Sequence, residues 1–151
     1  MLRKSIQGGM FAVLPGAGSL GDIASSDVGK LVVTSSGKGV LQSSTSTSIP
    51  AILGMIACVP DATSGGSTIP FYIHPVQGLE IEQTFSTVAS ATLPATTDIS
   101  DYVGWSTAAD LGVIGMDTKS SSAGKAFLMI TGFDNNRRKV FGVVNSSNLA
   151  L

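Results

Sequence analysis

The side chains able to do chemistry are few. The sole histidine, His74, stands in "YIHPV", and the sole cysteine, Cys58, sits near the end of the apolar run "AILGMIACV". A Ser-His-Asp relay needs the imidazole held against its nucleophile by a third group. No Gly-x-Ser-x-Gly surrounds any serine here. His74 therefore reads as a half-exposed strand residue and Cys58 as a small buried hydrophobe. One His and one Cys are too few for a zinc cluster, and a single cysteine allows no internal disulfide. Glu80 and Glu82 share one face of "LEIEQTFS". Paired carboxylates serve glycoside hydrolysis, but a solvated strand edge gives the same pattern. "GAGSLG" (16–21) matches Gly-x-Gly-x-x-Gly. The dinucleotide mechanism also requires a preceding strand, a following helix and an acid about 20 residues on. Here Pro15 interrupts the strand, "DIASSDVGK" opens no long helix, and position 41 is Leu41. The run reads as a hinge. We assign no catalytic residue, no cofactor and no metal.

Composition sets what must position these groups. Only 13% of the residues are charged, against a usual fraction of about 25%. The chain has 18 Gly and is rich in Ser and Thr. Helical surfaces want Ala, Glu, Lys and Arg, so this balance predicts short strands and tight turns. A net charge of −1 supplies no basic field for nucleic acid. No apolar run approaches the roughly 18 residues of a membrane span. At the start, Arg3 and Lys4 precede "MFAVL", but that block is shorter than a signal-peptide core of about 7–15 residues. We expect no export signal, which leaves the sequon "NSS" (Asn145–Ser147) idle. "NNRRK" (Asn135–Lys139) is the dense positive cluster. It reads as a solvated hairpin turn, or as a docking patch in which Arg forks grip carboxylates of a partner protein. No aromatics interleave with its charges, as single-stranded nucleic acid would want.

Along the chain, residues 1–21 read as an N-terminal arm and 22–151 as one β-domain. "KLVVTSS" and "GVLQ" form a hairpin across Gly37-Lys38. "AILGMIACV" is a buried strand, with Gly54 a bulge or a close approach. "TIPFYIHPV" and "LEIEQTFS" form the next pair; "LGVIGMD", "KAFLMITGF" and "KVFGVVN" complete the set. About eight short strands at near-regular spacing predict an antiparallel barrel or sandwich. The phrase "GDIASSDVGKLVV" has an echo in "TDISDYVGW", with Asp22 laid on Asp98 and Asp27 on Asp101. In each, Asp or Ser caps a short helical turn, with Thr97 or Asp98 the cap in the second, and Gly admits the next strand. The echo reads as a corner that feeds a strand, and an internal duplication is one account of it. Trp105, the sole Trp, reads as a core residue or as an anchor in an oligomer contact.

The arm with "GDIASSDVGKLVV", the stretch "GVLQ…AILGMIACVPDATSGGSTIPFYI" and the closing "TDISDYVGW…GVIGMD…KAFLMITGF" together resemble the decoration (cement, auxiliary head) proteins of tailed bacteriophages. The resemblance implies a small antiparallel β-barrel or β-tulip-like domain with an extended arm. It implies a virion protein, made in the host cytoplasm, that binds the major capsid protein on the capsid exterior and stabilises the expanded shell. It also implies a homo-oligomer, most often a trimer, no enzymatic activity, and no nucleic-acid or membrane partner. On that reading Leu2, Arg3, Lys4, Ile6 and Phe11 of the arm, with Arg137, Arg138 and Lys139 of the basic turn, are the candidate capsid contacts. Strand addition by the arm would set the register. A phage tail, baseplate or fibre component, or a ligand-binding β-module, is the alternative reading.

Overall fold

The computed structural model describes residues 13–15, 24–35, 38–42, 48–59, 70–108 and 111–150. They form ten strands: β1 (Val13–Pro15), β2 (Leu31–Ser35), β3 (Lys38–Val40), β4 (Ile52–Cys58), β5 (Pro70–His74), β6 (Glu80–Ser86), β7 (Tyr102–Trp105), β8 (Ile114–Ser120), β9 (Leu128–Asp134) and β10 (Lys139–Val144). Helix among the described residues is confined to three single 3-10 turns, Ser25–Asp27, Thr96–Asp98 and Ser146–Asn148. The all-β class is as the composition predicts. One sheet has the order β1-β5-β4-β2-β3, and the other closes into a barrel, β10-β6-β8-β7-β9.

Two expectations are refined by the structure and two are corrected. The described strands pair antiparallel except that β6 runs parallel to β8 through Phe85–Ile114 and Ser86–Gly115, which closes the barrel, and an isolated Ile52–Leu149 bridge is parallel too. β5 and β6 do not pair; β5 lies between β1 and β4, whereas β6 joins β10 and β8. Pro75 has no N–H to extend a ladder, and Val76 behind it is buried, so the chain crosses between the sheets instead of folding back. Cys58 is exposed. The β4–β5 register shifts between Ile56 and Cys58, and one extra residue reverses which face a side chain meets. Finally, Val13–Pro15 of the expected arm is a strand on β5. It sits at the sheet edge, where proline is tolerated. Leu2, Arg3, Lys4, Ile6, Phe11 and "GAGSLG" lie outside the described residues.

The echo marks a duplication, in a different alignment from the one its letters suggest. Read outward from β1, the first sheet runs β1-β5-β4-β2-β3; read from β6, the barrel runs β6-β10-β9-β7-β8. The registers coincide as well. Leu31 opposes Met55 and Val32 opposes Gly54, as Tyr102 opposes Met129 and Val103 opposes Leu128. Met55 opposes His74 and Ile56 opposes Ile73, as Met129 opposes Val143 and Ile130 opposes Gly142. Pro15 opposes Pro70 as Thr84 opposes Lys139. The bulge recurs, between Ile56 and Cys58 in one copy and opposite the step from Phe141 to Gly142 in the other.

Each copy opens on the same corner. The Ala24 N–H donates to Asp27 Oδ2 and the Ala95 N–H to Asp98 Oδ2, both at 2.8 Å. Gly29 (φ +90°) and Ser100 (φ +79°) then take the same left-handed backbone. Their N–H groups donate to Ile56 O at 2.8 Å and Ile130 O at 2.9 Å. The alignment that the structure imposes lays Asp27, not Asp22, on Asp98, so "ASSDVG" answers "ATTDIS". The described residues form two five-stranded modules, β1–β5 and β6–β10.

Module one's sheet buries both faces: Leu31, Val32 and Val33 are all at most 2% exposed. Val32, Leu41, Ile56, Val59 and Ile73 form a small core on one side. Leu31, Val33, Ile52 and Val76 join Phe85, Ile114, Ile130 and Val140 of module two in the main core on the other. Burying both alternations of a strand is what "LVV" encodes.

Candidate functional site

The basic cluster forms the turn between β9 and β10. Asp134 Oδ1 accepts the Arg137 N–H at 3.0 Å. The Arg138 N–H donates to Asn135 O at 3.3 Å, and Arg138 O accepts the Phe85 N–H at 3.1 Å, which ties the turn to β6. Arg138 itself holds a positive φ of +53°. The side chain of Asn135 donates to Pro94 O at 3.0 Å and so places the turn beside the segment that leads into the second corner.

The three basic residues are not equivalent. Lys139 Nζ lies 3.2 Å from Glu82 Oε1 and donates to Thr84 Oγ1 at 2.9 Å. Arg137 Nη2 reaches the same Glu82 oxygen at 3.5 Å. Arg138 makes no ion pair among the described residues and is exposed. Glu80 and Glu82 do share the solvated face, as expected, but Glu80 accepts from Thr131 Oγ1 at 2.9 Å and Glu82 is matched by two cations. Neither carboxylate is poised for acid–base work.

Exposed apolar side chains accompany the turn. Leu93, next to the pinned Pro94, is 46% exposed, and Ile99, just past the Thr96–Asp98 turn, is 40% exposed. The corner just before Ile99 is held by hydrogen bonds and ion pairs. Lys119 Nζ hydrogen-bonds Asp98 Oδ1 and lies 3.8 Å from Asp101 Oδ2. The Lys119 ammonium holds the Asp98 carboxyl below its usual range against the opposing effect of burial, with the Ala95 N–H assisting. The Asp98 carboxylate in turn raises Lys119. Burial pushes Asp117 up, but the N–H and hydroxyl of Thr107, at 2.8 and 2.7 Å, outweigh it and leave the group lowered.

The remaining candidates fall elsewhere. Trp105 is 3% exposed, its ring 4.3 Å from that of Phe127, so it serves the core and has little surface to offer an oligomer. His74 is half-buried at the end of β5, and its Nδ1 is buried without a hydrogen-bond partner, so among the described residues nothing orients the ring through that nitrogen. Among the described residues no group of three or more His, Cys, Asp or Glu could hold a metal, and no helix is long and apolar enough to cross a membrane. Two clefts of about 380 Å³ each mark the modules. One lies at their junction, with Lys30, Glu82, Gln83 and Lys139 in its wall. There Gln83 Nε2 donates to Gly29 O at 2.8 Å and links β6 to the first corner. The other is lined chiefly by apolar atoms of Tyr102, Met129, Val143 and Leu149. Neither cleft is legible from the linear chain, because their walls come from residues far apart in it. No protein-family model, curated protein or solved structure matches the chain.

Proposed function

We propose that this chain is a structural virion protein that binds the outer surface of a tailed-phage capsid and stabilises the expanded shell. The observation that carries the reading is Arg138: an exposed residue with no ion pair among the described residues, on a turn tied to β6 and, through Asn135, to Pro94, which the exposed Leu93 precedes. A charged fork next to apolar surface on a stiff frame suits recognition of a carboxylate-bearing protein surface. It does not suit bond-making, and the carboxylates and imidazole that could make bonds are matched by cations, engaged, or left unoriented.

On this reading the partner is the major capsid protein. Arg138 grips an acidic side chain of the shell, with Arg137 and Lys139 adding long-range attraction. The segment of Leu2, Arg3, Lys4, Ile6 and Phe11 supplies a second contact. A specific interface needs about 800 Å² from each partner, more than one turn provides. Stabilisation then follows from mass action, because a protein that binds only the expanded shell shifts the shell toward that state.

The test is co-sedimentation with expanded, undecorated capsids, followed by heating of the particles. Binding at micromolar protein and a raised temperature of shell disruption are expected. Arg138→Glu should weaken binding at least tenfold while leaving the unfolding transition of the free protein in place. No binding at micromolar protein, or binding indifferent to Arg138→Glu, would overturn the reading.

A further inference from the structure

The duplication gives each surface of one module a counterpart on the other, and the counterparts are not equally covered. In module one the outer face of the β2–β4–β5 sheet is occupied by module two. Leu31 and Val76 are buried in the main core, with Met55 packed against it. Gln83 of β6 lies over this face, its Nε2 2.8 Å from Gly29 O and 3.7 Å from Met55 Sδ. The register places Tyr102, Met129, Val143 and Asn145 of module two where module one has Leu31, Met55, His74 and Val76. These four are all half-buried, whereas in module one Leu31 and Val76 are buried and only Met55 and His74 are half-buried. Among the described residues no strand covers that face, which carries the apolar cleft of about 380 Å³.

The covering strand is unmatched as well. β6, which covers module one, sits between β10 and β8; its counterpart β1 is an edge strand whose Val13–Pro15 hold the register places of Glu82–Thr84. The packing inside the chain is therefore heterologous: the outer face of one module meets the first strand of the other. Among the described residues, the pairing leaves one outer face without a covering strand and one first strand, β1, at a sheet edge. Such a contact repeats between copies, and it closes into a ring where the rotation allows.

We propose that the Tyr102–Met129–Val143 face is a self-association surface, and that its occupant is the β1 end of a second copy of this chain, docked as module two docks on module one. The occupant is a second copy because the chain already carries one solution to covering this face, and that solution is its own repeat. The contact joins module two of one copy to module one of the next, so each copy is both donor and acceptor.

Sedimentation of the purified full-length chain tests this without any capsid. A species larger than the monomer is expected at protein concentrations up to about 100 µM. Val143→Glu and Met129→Glu put a charge into the cleft and should return the protein to monomer. Ile49→Glu, at a 65% exposed site elsewhere, should not. Circular dichroism and Trp105 fluorescence report whether each variant folds. Should the core-side variants unfold, Gln77→Trp, on the exposed rim of the same cleft, fills the opening without touching the core and should also give monomer. A monomeric wild type at that concentration overturns the proposal. So does an oligomer that persists in folded variants of this face.

Discussion

Replacing Asp98 by Ala probes the corner that both modules share. Asp98 is 4% exposed and accepts from the Ala95 N–H at 2.8 Å and from Lys119. Losing a carboxylate that satisfies the first N–H of a turn costs about 1–2 kcal/mol. The Lys119 contact adds little because the ammonium is solvated. For a chain of this size that loss lowers Tm by roughly 3–8 °C. The pH dependence gives the sharper reading. Asp98 is held below its ordinary value in the folded state, so its contribution is complete above the unfolded carboxylate value of about 3.9. It is lost as pH falls through the depressed folded value. Asp98→Asn keeps an acceptor oxygen but cannot ionise. The stability gap between wild type and Asp98→Asn should therefore be full at neutral pH and shrink as pH falls below the unfolded carboxylate value and through the depressed folded one. Urea unfolding followed by the fluorescence of Trp105, the single buried Trp, measures both quantities. An Asp98→Ala protein as stable as wild type, or a gap to Asp98→Asn that does not change with pH, would refute this account of the corner.

The internal repeat yields a matched pair of further tests. Ser100→Gly should stabilise by about 0.5–1 kcal/mol, because a left-handed backbone strains an L-residue. Gly29→Ser should cost about 1 kcal/mol and still fold, since nothing lies within 4 Å of its new Cβ; thermal melts of both variants check this. At Gly142 an added Cβ would stand 2.5 Å from Met129 O and 2.8 Å from Leu128 Cγ, so Gly142→Ala should cost about 1–3 kcal/mol by overpacking, read from urea midpoints. Gln83→Leu removes the donor to Gly29 O between the modules; the half-buried carbonyl left without that bond should cost about 1 kcal/mol, with hydrogen exchange rising first around β6.

The all-β class was legible from composition, because a chain poor in charge and rich in Gly, Ser and Thr has little with which to build helix surfaces. The alternation of Leu79–Phe85, the turn at Asn135–Lys139 and the solvated Glu80–Glu82 face were legible for a related reason: alternation and turn chemistry are local. The glycine at position 54 was expected to mark a bulge or a close approach, and its absent Cβ is what lets the His74 carbonyl approach. Of the candidate site, the sequence marked the basic turn but not the state of its charges. Which of Arg137, Arg138 and Lys139 is matched depends on Glu82, more than fifty residues away in the chain.

Tertiary structure alone decided the rest. The exposure of Cys58 follows from a bulge that only the partner strand defines, and the separation of β5 from β6 follows from a crossing through the core. The alignment of the repeat shows the same division most clearly. Letters favoured Asp22 on Asp98, whereas hydrogen bonds put Asp27 there, because a corner is specified by a cap and one left-handed residue and tolerates Ser for Thr, Val for Ile and Gly for Ser around them. A fold of this kind stores its symmetry in strand order and register. Those are properties of residues brought together from distant positions, so the linear chain states the local rule while the packed molecule alone shows that it is applied twice.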